Sequence, residues 1–248
     1  MKQWLRVFAV VLLSVGTAAS AMAQEHSRGR TRFILAASWE PAFCQTNQKK
    51  AECRNQSSDN HDATNFSLHG LWPMRQEYCD VSEDLKQADR GRDWKDLPAV
   101  QLSQDVKAKL DKAMPGTQSG LERHEWIKHG TCTKLSADQY FSIAAGLIAE
   151  LNTSAVRELF AQNIGKELDA ESIKASFDQS FGEGANARIK MSCRRVGDVR
   201  MISELTIGLS EDAIDPQQGS EPRLAKLIQG AGSTSFGCDR GVVDAAGF

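Results

Sequence analysis

Three observations predict an α+β fold with a central, mostly antiparallel sheet packed with several helices. Short apolar or alternating runs lie toward both ends of the chain, helical spacing fills the middle, and capping residues punctuate that middle.

The first run, Phe33-Ile34-Leu35-Ala36-Ala37-Ser38-Trp39, is closed by Pro41 and reads as a buried strand. Residues 45–64 carry Gln, Asn, Lys, Ser and Asp without periodicity and read as a surface loop. Phe66 to Leu71 reads as a second strand ending at Pro73, with His69 near its end, where a side chain reaches a cleft. Residues 80–100 are strongly charged and irregular, which predicts a solvated excursion. Ser103 then caps a helix through Val106, Leu110 and Met114, stopped by Pro115-Gly116.

Ser119 with Glu122 three residues later has the capping-box pattern and Gly130 the place of a helix stop, so a helix is expected between them. Ser136 with Gln139 repeats the pattern before Tyr140, Phe141, Ala144, Leu147, Ile148 and Leu151, the clearest helical stripe in the chain. Helices are also expected over Ser154–Ile164 and Ala170–Phe181. Alternation returns in Arg188–Cys193 and Glu204–Leu209, which predict two antiparallel strands.

Residues 1–23 have the layout of a secretory signal. Lys2 and Arg6 lead an apolar stretch from Phe8 to Val15, and Ala21-Met22-Ala23 offers a small-x-small cleavage site. The expected mature chain is a single domain over 24–248, with no later segment apolar enough to span a membrane. It retains 28 basic and 32 acidic residues. A chain-wide polybasic footprint is therefore missing, and a nucleic-acid partner has to be held in a local cleft. Cys44, Cys53, Cys79, Cys132, Cys193 and Cys238 all follow the signal, an even set that reads as disulfides. The spacing alone leaves every pairing open. The expected location is the periplasm or the medium.

Two stretches carry the chemistry: Phe66-Ser-Leu-His-Gly-Leu-Trp-Pro73 and His124-Glu-Trp-Ile-Lys-His-Gly-Thr-Cys132. They hold three of the five histidines. At about 100° per residue, Lys128, Glu125 and His129 fall about 40°, 100° and 140° from His124, so four ionisable groups share one helical face. Trp126 and Ile127 point the other way, toward a core. A zinc-peptidase H-E-x-x-H site needs histidines four apart. Here they are five apart, and the ammonium of Lys128 stands in the ligand position, so no metal is expected. An exposed helix face or a non-catalytic binding module would need no such complete set.

These stretches resemble the two active-site segments of the RNase T2 family, FSLHGLWP and HEW-x-KHGTC. Ser38-Trp39-x-Pro41-x-Phe43-Cys44 and the late cysteines extend the likeness over most of residues 33–240. The resemblance implies an RNase T2-like fold and a secreted, metal-independent endoribonuclease without cofactor, acting on single-stranded RNA and not DNA; a monomer is expected. It implies that His129 is the general base and His69 the general acid of transphosphorylation, their roles exchanging in hydrolysis of the cyclic phosphate. Lys128 and Glu125 would stabilise the phosphorane, and His124 would hold phosphate.

Trp72 would offer a stacking face tolerant of base identity and Tyr78 a second contact, whereas Met74 replaces an acidic residue found in some members. The family pattern pairs Cys44 with Cys53, Cys79 with Cys132, and Cys193 with Cys238. A neutral and a protonated imidazole, each near ~6.5 when free, predict a bell-shaped rate profile at mildly acidic to neutral pH.

Overall fold

The structure is a computed structural model that describes residues 29–91, 93–214 and 223–247; the signal expected over 1–23 lies outside them. In chain order the elements are β1 (Phe33–Ser38), α1 (Glu40–Cys44), α2 (Ala51–Arg54), β2 (Ser67–Pro73), α3 (Glu83–Arg90), α4 (Gln104–Ala113), α5 (Leu121–Lys128) and α6 (Ala137–Leu151). There follow α7 (Ala155–Gln162), β3 (Glu167–Asp169), α8 (Ala170–Phe181), β4 (Ile189–Val196), β5 (Val199–Leu209), α9 (Leu224–Gln229) and β6 (Arg240–Val242).

The strands form one sheet in the order β2-β1-β5-β6-β3, with β4 also paired to β5. Among the described strands only β5 and β6 run parallel, at Met201 and Val242, so the sheet is mostly antiparallel. Strand alternation gives it two different faces. On one, the rows Leu71–Leu35–Ile207–Ile189 and Leu68–Ala37–Leu205–Met191 are buried beneath helices, with α6 packed on β1 and β2 and α9 on β5. Fully burying such an aliphatic side chain contributes about 1.5–3 kcal/mol. The other face carries the row Ser67–Ser38–Glu204–Ser192 and, one step along, Gly70–Ala36–Thr206. Its short side chains leave room for a site.

The second strand is interrupted where it matters. Ala36 pairs with Gly70 and Ala37 with Leu68, so His69 is the extra residue of a bulge on an edge strand. A bulge re-aims a side chain and increases the local twist. His69 therefore projects from within β2, not from its end as the sequence suggests.

The capping box at Ser136 and Gln139 forms with both reciprocal bonds, 3.0 Å and 3.2 Å. The one expected at Ser119 and Glu122 does not. Gly120, at φ 82°, is the N-cap of α5, and the Ser119 hydroxyl instead donates to buried Glu52. Gly130 opens a 3-10 turn over Gly130–Thr133 and has no left-handed stop to make. Its lack of a side chain is needed because a Cβ there would collide with the Trp126 ring.

Two expected loops hold structure. Within 45–64, α2 is tied to α1 by the Cys44–Cys53 disulfide, and His61–Ala63 forms a 3-10 turn. Within 80–100, Ser82 caps α3 through the Leu85 amide, and Trp94–Asp96 forms another 3-10 turn. The only helix residue of α3 that is buried is Asp89, so no apolar stripe announces this helix. The other disulfides are Cys79–Cys132 and Cys193–Cys238, which completes the pairing that the family resemblance implies.

Candidate active site

Gly70 lets β2 and α5 come together. A Cβ at that position would overlap both the Glu125 carboxylate and the Trp72 indole nitrogen. In the space so left, Trp72 Nε1 donates to Glu125 Oε2 at 2.8 Å, and the fully buried Glu125 becomes the hub between the two motifs. Its Oε1 lies 4.0 Å from His69 Nε2 and 3.9 Å from His124 Nε2. Burial pushes Glu125 up to about 7, against the pull of His69, the Trp72 N–H and Lys128.

The predicted helical face is thus brought together with His69, with His124 and Lys128 in the lining of a cleft and Glu125 and His129 buried. The cleft encloses about 680 Å³ and includes His69, His124, Lys128, Tyr78 and Glu40 in its lining. Cys79–Cys132 fastens the segment after β2 to the turn after α5, and the Tyr78 amide donates to the Lys128 carbonyl at 2.8 Å. Lys128 has one loose partner, Glu77 at 3.8 Å.

The three histidines differ in what stands behind them. His69 Nδ1 lies 2.7 Å from Glu204 Oε2. Burial opposes its charge, but the Glu204 hydrogen bond and the carboxylates of Glu125, Glu204 and Glu40 outweigh that and raise its pKa above the ordinary 6.5. His124 Nδ1 lies 2.7 Å and 2.9 Å from the two oxygens of Asp89, and its ring stacks on Trp94 at 4.3 Å. Burial, Lys128 and His69 lower its pKa in spite of Asp89. The buried His129 has no carboxylate: its Nδ1 makes no hydrogen bond among the described residues. Burial first, then Lys128, His124 and His69, hold it down to about 3.

The two aromatic residues expected to meet a base are already engaged. Trp72 is edge-on to His69 and tilted over His129, with ring centroids at 5.1 Å and 5.6 Å, and its N–H is bound to Glu125. It therefore packs against His69, His129 and Glu125 while remaining half-buried. Tyr78 lines the cleft, but its hydroxyl donates to Asp89 at 2.7 Å. Met74 is exposed, 41% accessible.

Sequence reading missed Glu204 and Asp89, the partners of His69 and His124, together with Glu40 and Trp94. Glu204 offered one signal: a charge in an alternating strand on the face opposite Leu205 and Ile207. Asp89 offered none, since it stands among nine other charged residues between 80 and 96. The three-donor grouping Glu40, Cys44 and Cys53 is not a metal centre, because its two sulfurs are joined to each other.

Comparison with known proteins agrees with this arrangement. The model of the Ribonuclease T2 family matches residues 31–218. The chain belongs to that family. Among curated relatives, Ribonuclease I of Escherichia coli (strain K12) is 28% identical over 98% of this chain and 97% of its own length. Ribonuclease 1 of Arabidopsis thaliana is 28% identical over 70% of this chain and 72% of its own. Among solved structures, the self-incompatibility-associated SF11-RNase of Nicotiana alata superposes with a TM-score of 0.51 at 18% identity, covering 74% of this chain and 88% of that one. The last likeness is one of fold. In this T2-family ribonuclease the two motif segments meet, with Leu68 and His69 of β2 and His124 and Lys128 of α5 lining one cleft.

Proposed function

We propose that this T2-family ribonuclease is an endoribonuclease that cleaves single-stranded RNA without a metal, first to a 2′,3′-cyclic phosphate and then, more slowly, to a 3′-phosphate. The observation that carries the reading is the opposite conditioning of two imidazoles packed against one indole, that of Trp72. His129, without a carboxylate and beside Lys128, is held neutral, as a base must be. His69, backed by Glu204, is shifted toward its protonated form, the form an acid needs. Groups whose environments push their pKa values apart mark an acid and base assignment.

In the first step His129 removes the 2′-OH proton, the 2′-oxygen attacks phosphorus, and His69 delivers a proton to the departing 5′-oxygen. In hydrolysis the roles exchange, with water in place of that oxygen. Lys128 offers a cation to the equatorial oxygens of the phosphorane, and His124, fixed by Asp89, holds phosphate. Glu125 keeps Trp72, His69 and His124 in register, and its neutral form donates a hydrogen bond to the same oxygens. The ammonium of Lys128 and the commitment of two imidazole Nδ1 atoms to carboxylates favour this chemistry over a metal site. DNA lacks the nucleophile and is not a substrate.

Base preference is weak in this reading, because the cleft meets a base with Phe43, Leu121 and the ring of Tyr78, and such contacts tolerate any base. Residues 1–23 act as a signal, and 24–248 work as a single monomeric domain outside the cytoplasm, where three disulfides persist. Among the described residues no helix is long and apolar enough to cross a membrane.

The test is incubation with RNA, DNA and 2′-O-methyl RNA in a chelator, with the products resolved by phosphorus NMR. A cyclic phosphate from RNA alone supports the proposal. Binding without cleavage, or turnover restored only by a divalent metal, sinks it.

A further inference from the structure

We propose that Glu204 on β5 is the positioning residue of the general acid, fixing which nitrogen of His69 donates its proton to the leaving oxygen. The inference rests on the assignment of His69 as that acid. An ionised carboxylate only accepts hydrogen bonds, so the 2.7 Å contact from Nδ1 to Glu204 Oε2 puts a hydrogen on Nδ1 in both charge states of the ring. The proton that leaves is therefore the one on Nε2, the nitrogen that faces the Glu125 side of the cleft. As the bond from phosphorus to the 5′-oxygen breaks, the Nε2–H bond breaks and the new O–H bond forms. His69 is left as the neutral Nδ1–H tautomer. Its Nε2 lone pair then points into the site, ready to take a proton from water in the hydrolytic step.

Backbone geometry builds this contact. In the β1–β5 register Glu204 stands opposite Ser38, whose hydroxyl donates to the same Oε2 at 3.4 Å. On the other side of β1, the bulge of β2 swings His69 onto the same face of the sheet. Both partners are thus on strands of one sheet, while His124 comes from α5 and His129 is the residue that caps its C-terminal end. Glu204 is 19% accessible at its side chain, so solvent screens the pair only in part. The charged groups that face His69 are Glu204 from β5, Glu125 from α5 at 4.0 Å and Glu40 from α1, with the imidazoles of His124 and His129 beyond. Of the carboxylates, Glu204 is the one at hydrogen-bond distance.

The experiment compares two substrates that share the attacking nucleoside and differ in the leaving group. A dinucleoside monophosphate expels a 5′-alkoxide, which needs the acid. The corresponding nucleoside 3′-(4-nitrophenyl phosphate) expels a phenolate, which does not. Glu204→Gln is expected to lower kcat on the dinucleotide by at least about tenfold with little change in KM, to leave the aryl ester within about threefold, and to move the alkaline limb of the kcat/KM profile to lower pH. Glu204→Asp, which keeps the charge, is expected to restore that limb in part. His69→Ala serves as the reference.

If His69→Ala slows the dinucleotide selectively and Glu204→Gln slows both substrates alike or neither, Glu204 does not position the acid, although the assignment of His69 stands. If His69→Ala is itself blind to the leaving group, that assignment falls and this inference falls with it.

Discussion

His69 and His129 reach opposite charge states by different means, and this changes the expected pH dependence. The proposed mechanism needs neutral His129 and protonated His69 in the free enzyme. His129 is held down to about 3, so the base is available through the whole acidic range, while His69 stays protonated above the ordinary 6.5. The kcat/KM profile is therefore expected to be a broad plateau whose alkaline limb lies above pH 6.5 and whose acid limb lies far below it. A narrow bell with both limbs near 6.5, the expectation from free imidazoles, would contradict the geometry. Glu40 supports a second prediction, on stability. Burial, with Asp62 and Glu52 adding to it, pushes this carboxyl from 4.5 to about 8. The folded state thus holds the proton more tightly than the unfolded chain, and the stabilisation is complete below 4.5 and lost as the pH rises through about 8. Glu40→Gln should flatten that decline, raising alkaline stability relative to acid stability on the order of a few kcal/mol. Urea unfolding near pH ~5 and ~9 reads it, and parallel curves for the two proteins would refute it. At this scale the reacting groups were legible and their supports were not. His69, Glu125, Lys128 and His129 lie in two contiguous motifs, whereas Glu204 is 135 residues from His69 and only the sheet register joins them.

Among the elements, β2 and α5 meet through the Glu125 side chain, with Gly70 at the point of contact. Gly70→Ala adds a single methyl group that would overlap both the Glu125 carboxylate and the Trp72 N–H. The cost of such overpacking is about 1–3 kcal/mol. The functional effect should exceed it, because the displaced atoms hold His69, His124 and Trp72 in register. A fall in kcat of at least about tenfold is expected at a temperature where thermal unfolding shows the variant still folded. Full activity in a folded variant would mean that Glu125 has slack that the structure does not show. The same contact explains what could be read of the elements. Hydrophobic period and caps announce α6, α8, β1 and β5, whose buried faces are apolar. They fail for α3, whose buried residue is Asp89, and for the start of α5, where Ser119 bonds Glu52. The bulge at His69 was also hidden, since an extra residue in a strand leaves the sequence alternation locally ambiguous.

For the molecule as a whole, the site depends on holding a sheet edge against a helix that arrives some fifty residues later. Two kinds of restraint do this. One is the apolar core on the far side of the sheet, which fixes β1, β2 and β5 but reaches α5 through the partly buried Leu121 and Trp126. The other is Cys79–Cys132, with a sequence separation of 53, which closes the segment carrying α3 with Asp89, α4 and α5 into one loop. On the chain-entropy account a loop of that length stabilises the fold by about 4 kcal/mol, and Cys193–Cys238, with a separation of 45, by nearly the same. The two bridges should therefore be alike in stability and unlike in function. Replacing Cys79 and Cys132 together by serine is expected to lower the unfolding free energy by about 2–5 kcal/mol and to depress kcat at temperatures where the variant remains folded. It frees the Lys128 end of α5 from the segment after β2. The Cys193 and Cys238 pair, at the β4 end of the sheet, should show a similar stability loss with kcat retained. Parallel urea titrations and rates on one RNA substrate measure both. Equal loss of kcat in the two variants would mean that the bridge beside the site acts on stability alone.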